Sequence, residues 1–123
     1  MEKYWKQLKE QLEAGAEKAS ANVREGGDIF RIDSGENKFQ LFLLHGGEPA
    51  VTLTVAKTER SIDLHTTLAS GKEVTGAFEI RDGYLASVNS DSIYFADAGH
   101  AASNFLKPAT DAVYDPPFNI PKR

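Results

Sequence analysis

The residue pattern of this chain predicts an α+β fold. A long N-terminal helix packs on a strongly curved six- or seven-stranded antiparallel meander, followed by a short C-terminal helix and an extended tail. Two observations carry this prediction. Apolar residues recur with a period near 3.6 over residues 2–24, then with a period of 2 from Asp28 to Ala96. Within the second stretch, turn-forming clusters recur about every ten residues, as in a meander of short strands.

The helix comes first. Trp5, Leu8, Leu12, Ala16, Ala19 and Val23 fall on one helical face. Glu2/Lys6, Lys6/Glu10 and Lys9/Glu13 place opposite charges one turn apart on the polar side. Gly26-Gly27 supplies the stop, because glycine takes the left-handed conformation that ends helices without a steric penalty. A helix that lies on a membrane surface needs a basic polar face, and this one mixes signs.

Strands follow over residues 28–32, 38–44, 50–56, 61–68, 73–81, 84–89 and 92–96, separated by SGEN, HGGE, KTER, ASGK, RDGY and NSDS. Pairing registers follow from the turns. A two-residue Gly46-Gly47 turn pairs Phe42 with Val51 and Gln40 with Leu53. A two-residue Thr58-Glu59 turn pairs Val55 with Ile62 and Leu53 with Leu64. A three-residue loop ending in left-handed Gly71 pairs Ile62 with Phe78 and Thr66 with Val74. Asp82-Gly83 has the composition of a type I′ turn. These registers agree on one core face: Phe42, Leu44, Val51, Leu53, Val55, Ile62, Leu64, Val74, Phe78 and Ile80.

The other face is then polar at its centre and apolar at its flanks, with Phe39, Leu41 and Leu43 on one side and Val88, Ile93 and Phe95 on the other. A flat open sheet would be polar throughout, so the flanks imply curvature, cover by terminal segments, or a homodimer. The second helix spans 97–107, with Asp97 as its N-cap and Pro108 as its stop. Residues 108–123 carry prolines 116, 117 and 121 and read as an extended tail that docks through Tyr114, Phe118 and Ile120.

Composition narrows the function. With 123 residues, 41% hydrophobic and 26% charged, the chain suits one globular domain spanning 1–123. A net charge of -4 with scattered Lys and Arg reads against nucleic acid. The absence of cysteine removes thiolate metal sites and a cysteine nucleophile. The charged start MEKYWKQLKEQLEAG is unlike a signal h-region, and no run nears the ~20 apolar residues of a membrane span, so a cytoplasmic protein without membrane contact is expected.

The candidate chemistry lies in SIDLHTTLASGKEVTGAFEI. Asp63 and His65 share a face of one strand, about 7 Å apart. Glu79 joins that face from the next strand, opposite Ala86 and beside the expected position of Phe95. In a concave wall, these three would suit proton transfer, with the imidazole as base and a carboxylate orienting it. Thr52, Thr54 and Thr75 surround them as candidate ligand-binding residues. The same residue types also make an ordinary wet sheet face, since threonine favours strands. His45, His65 and His100 lack the close spacing of a metal-ligand set, HGGEP lacks the Lys-Ser/Thr of a phosphate loop, and no serine sits in a nucleophile elbow. Neither a cofactor nor a metal is expected.

The pattern thus reads as a non-catalytic binding or interaction protein. Its partner would be another protein, a second copy, or a small apolar ligand in the sheet concavity. The alternative is a small cofactor-free lyase, isomerase or hydrolase using Asp63, His65 and Glu79.

Overall fold

Helix α1 (Glu2–Ser20) buries the face its periodicity defines: Tyr4, Trp5, Leu8, Leu12 and Ala16. The computed structural model describes residues 2–20, 29–45, 48–68, 70–89 and 93–114. Val23 and the Gly26-Gly27 stop lie outside them. Seven strands follow in sequence: β1 (Ile29–Ser34), β2 (Lys38–His45), β3 (Glu48–Lys57), β4 (Ile62–Leu68), β5 (Glu73–Arg81), β6 (Tyr84–Ser87) and β7 (Tyr94–Phe95). They form one antiparallel sheet in the order β1-β2-β3-β4-β5-β6-β7. Helix α2 (Ala98–Tyr114) closes the described chain. This is the predicted α+β architecture, with a single core cluster that draws on both helices and one face of the sheet.

The sheet curls around the helices. The Trp5 indole N–H donates to the Glu36 carbonyl in the β1–β2 turn (2.8 Å), while the Tyr4 hydroxyl donates to the Phe95 carbonyl in β7 (2.9 Å). Two adjacent residues of one helical turn thus reach opposite ends of the strand order. Lys9 donates to the Gly35 carbonyl and Ser34 to the Glu13 carboxylate, which holds the β1–β2 turn along α1. The pairs Tyr4/Phe95, Gln11/Gly99 and Gly15/Leu106 ascend together, so α1 and α2 run in the same direction, side by side. Gly15 lets them approach closely: a Cβ there would lie 2.6 Å from Leu106 Cδ1.

Register decides which side chains the helices cover, and here the expected β2–β3 pairing is corrected. At the end of the hairpin His45 pairs with Glu48, as a two-residue turn requires, although Gly46 and Gly47 themselves lie outside the described residues. The register then shifts at Leu43/Leu44: Leu44 pairs with Pro49 but Leu43 with Val51, so Ala50 is an extra residue in β3. This β-bulge moves every later pair by one and reverses the facing of β2. Leu41 pairs with Leu53 and Phe39 with Val55. Phe39, Leu41 and Leu43 are fully buried in the core, and Phe42 and Leu44 are half-buried on the opposite face. The apolar flank that called for a homodimer on β2 is therefore covered within the chain.

Two other expected registers fare better. The β3–β4 connection is longer than two residues: Thr58 N–H donates to the Ser61 carbonyl, and the Thr58 and Ser61 hydroxyls bond across the loop (2.8 Å). Lys57 pairs with Ile62 and Val55 with Leu64, a shift of two residues that preserves the facing. The β4–β5 register matches, with Ile62 opposite Phe78 and Thr66 opposite Val74. Gly71 has φ 88°, and the β5–β6 turn has φ 50° at Asp82 and 85° at Gly83, the left-handed pair of a type I′ turn. Val74, expected in the core, is exposed at 39%, Leu64 and Ile80 are only partly buried against that core, and Phe95, expected outside, is buried.

Asp97 caps α2 as predicted, its carboxylate accepting from the Gly99 N–H (3.0 Å). Pro108, however, does not stop the helix, which continues to Tyr114. The helix therefore replaces an extended tail over 108–114, while Phe118 and Ile120 lie outside the described residues. An interior proline costs about 3 kcal/mol, through a lost hydrogen bond and a clash with the carbonyl four residues earlier. Here that carbonyl belongs to exposed Asn104, where water can replace the bond. Burial of Phe105, Leu106 and Ala109 on both sides of the proline offsets the rest.

Candidate functional site

The concave side of the sheet is occupied by α1 and α2, which corrects the expected setting of Asp63, His65 and Glu79. These residues lie on the opposite face. In register, Gln40, Thr54, His65 and Thr75 form one row of that face, Phe42, Thr52, Thr67 and Glu73 the next, and Asp63 lies opposite Ala77. Glu79 is opposite Ala86, as expected, but Phe95 pairs with Leu85 and belongs to the covered face.

The three candidates share this face without converging. The His65 imidazole bonds to Glu73 through Nε2 and Oε1 at 2.7 Å, with both side chains at least half exposed. Glu79 accepts from Arg81 Nε at 2.7 Å. Asp63 accepts from the Ser61 hydroxyl at 3.0 Å. Among the threonines, Thr54 accepts from Gln40 Nε2 (3.3 Å) and is half-buried, as is Thr52, while Thr75 is exposed. Only His65–Glu73 is a cross-strand pair of the kind that stabilises sheets, while Glu79 and Asp63 each bond a residue two positions away along the chain. Glu73 was not singled out from the sequence. Its signal was there, since the β4–β5 register sets it diagonally beside His65.

Among the described residues, surface depressions of about 550, 390 and 380 Å³ flank α1. The first lies beside Trp5, Lys6 and Glu36, the second between Tyr4 and the β5–β6 turn, the third between Gln11 and the start of α2. Their walls hold none of Asp63, His65 or Glu79. Tyr4, which borders the second, has its pKa pushed up to about 12 by burial and by the nearby Asp97 charge. Its hydroxyl is thus held as a neutral donor to Phe95. Among the described residues no group of three or more His, Asp or Glu is placed to hold a metal ion, and no helix is long and apolar enough to cross a membrane.

The exposed feature that stands out is aromatic. At the β6–β7 end of the open face, Tyr84 and Tyr94 meet edge to face with ring centroids 5.5 Å apart. Ala86 lies between them in register, opposite Tyr94, and is only 3% exposed on a face that no helix among the described residues covers. Val88 follows on the same face, its N–H bonded to the Ala77 carbonyl, and is 48% exposed. Tyr94 itself is 59% exposed. Arg81 pairs with Tyr84 in register and completes the patch. The sequence reading had placed Val88 on an apolar flank but missed both tyrosines, although positions 84, 86 and 88 share a face by period alone.

Comparison of the chain with protein-family models, curated proteins and solved structures finds no match.

Proposed function

We propose that the chain is a non-catalytic interaction protein that docks a protein partner on the open face of its sheet, anchored at Tyr84, Val88, Tyr94 and Arg81. The observation that carries this reading is exposed Tyr94 set edge to face on half-buried Tyr84, on a face without covering elements among the described residues. Tyrosine and arginine are the residue types that anchor protein interfaces, because each offers large contact area with a polar tip. The surrounding face supplies half-buried apolar groups and paired charges, a mixture typical of non-obligate interfaces. The reading as a cofactor-free lyase, isomerase or hydrolase asks Asp63, His65 and Glu79 to act on one substrate, and each instead bonds a different neighbour.

Site-specific photocrosslinking tests it. A photoreactive residue at position 94 should give discrete protein adducts in cells, lost when Tyr84→Ala is added. The same residue at exposed position 60 should not give them. Equal labelling from both positions, or none from position 94, would reject the docking surface.

A further inference from the structure

We propose that the outer edge of β1 is a self-association seam, through which two copies of the chain pair antiparallel about a two-fold axis at Ile32. β1 ends the strand order, and among the described residues no backbone group bonds to its outer edge. Its sequence, IFRIDS, is rich in strand-forming residues and contains no proline, and its two charged residues, Arg31 and Asp33, are of opposite sign, so they guard the edge only in registers that oppose like charges. An open edge of this kind is a template for another strand.

The hydrogen-bond parity of the β1–β2 hairpin says which residues face outward. The Gly35 N–H donates to the Lys38 carbonyl (2.7 Å), so positions 35 and 38 are a hydrogen-bonded pair. Bonded pairs recur at every second residue, so positions 33, 31 and 29 bond toward β2. Positions 30, 32 and 34 therefore present their N–H and C=O groups at the open edge. A two-fold axis at Ile32 pairs 32 with 32 and 30 with 34 of the second copy, matching outward groups with outward groups.

Charge selects the same register. A two-fold axis at Ile32 sets Arg31 opposite Asp33 of the second copy, and Asp33 opposite Arg31. Both are non-hydrogen-bonded pairs, where facing residues come closest. An axis at residue 31 or 33 would oppose like charges, and so would parallel pairing in register. Only one simple alignment satisfies backbone and charge together, and it is isologous, as a two-fold dimer requires. The seam lies at the opposite end of the strand order from Tyr94 and does not depend on partner docking there.

Sedimentation equilibrium of the full chain at low salt, over a concentration series, tests the seam. A monomer–dimer equilibrium is expected. Arg31→Asp or Asp33→Arg alone should each weaken it roughly tenfold, because two attractive pairs become repulsive. The double variant, with the charges exchanged, should restore it. Ile32→Pro should weaken it too while keeping the far-ultraviolet circular dichroism spectrum, since the N–H it removes points away from β2. Should that variant fail to fold, the charge series still decides. A chain that stays monomeric at sub-millimolar concentration, or a dimer whose constant ignores both reversals or is not restored by the exchange, would overturn the proposal.

Discussion

The two faces of the sheet use the same strands and nearly the same residue types, yet only one is core. Thr66 and Thr67 are neighbours in β4. Thr66 sits under the helices at 1% exposure, and Thr67 is half-buried on the open side. Leu41 and Phe42 are neighbours in β2, and again the covered one is fully buried while the larger aromatic stays outside. Hydrophobicity alone therefore does not choose the covered face. The helices and the bulge at Ala50 choose it, and the open face is left free to carry the tyrosine patch and the paired charges.

The comparison is most exposed to failure in β2. Leu41→Ala should destabilise by about 2–5 kcal/mol, because a fully buried leucine leaves a cavity in the core between the sheet and the helices. Phe42→Ala should cost less despite removing more atoms. Chemical denaturation of the pair checks this, and the reverse order would mean that the bulge is absent and β2 faces the other way.

A smaller effect sharpens the covered side. Tyr4→Phe removes the hydrogen bond to Phe95 and should cost about 1 kcal/mol at neutral pH. The pKa of Tyr4 rises from 10.0 to about 12 on folding. Its contribution is therefore complete below pH 10 and lost as the pH climbs through 12, since the unfolded chain gives up the proton first. Denaturation at pH 9 and pH 12 should show a larger loss for the wild type than for Tyr4→Phe.

The smallest effect belongs to the open face. Glu73→Gln removes the carboxylate that the His65 imidazole bonds, but both side chains are at least half exposed. The change should stay within about 0.5 kcal/mol. A loss comparable to that of Leu41→Ala would show that a segment outside the described residues covers this face.

Legibility followed the same divide. The β4–β5 register could be read because Gly71 fixes a short loop. Asp82-Gly83 could be read because few residue pairs accept two successive left-handed conformations. β2 could not. Phe39, Leu41 and Leu43 alternate with Phe42 and Leu44, so both of its faces are apolar and neither facing is excluded. Ala50 carries no local mark of a bulge. Asp63, His65 and Glu79 were placed on one face correctly. Their actual partners, Ser61, Glu73 and Arg81, depend on side-chain reach across the sheet, which alternation does not encode.

The sequence by itself determined the order of the elements, helix against strand up to Pro108, the cap at Asp97 and the left-handed turns at Gly71 and Asp82-Gly83. All of these rest on local sterics and on periodicity within one segment. Tertiary structure alone decided which side of β2 is buried, that α2 continues through Pro108, and that the concavity holds helices. Each of these sets a local cost, an extra residue or a missing hydrogen bond, against burial shared among elements distant in sequence. The outcome is decided by the summed contacts of Trp5, Leu12, Phe105 and Leu106 with the sheet and with each other, and no single segment contains that sum.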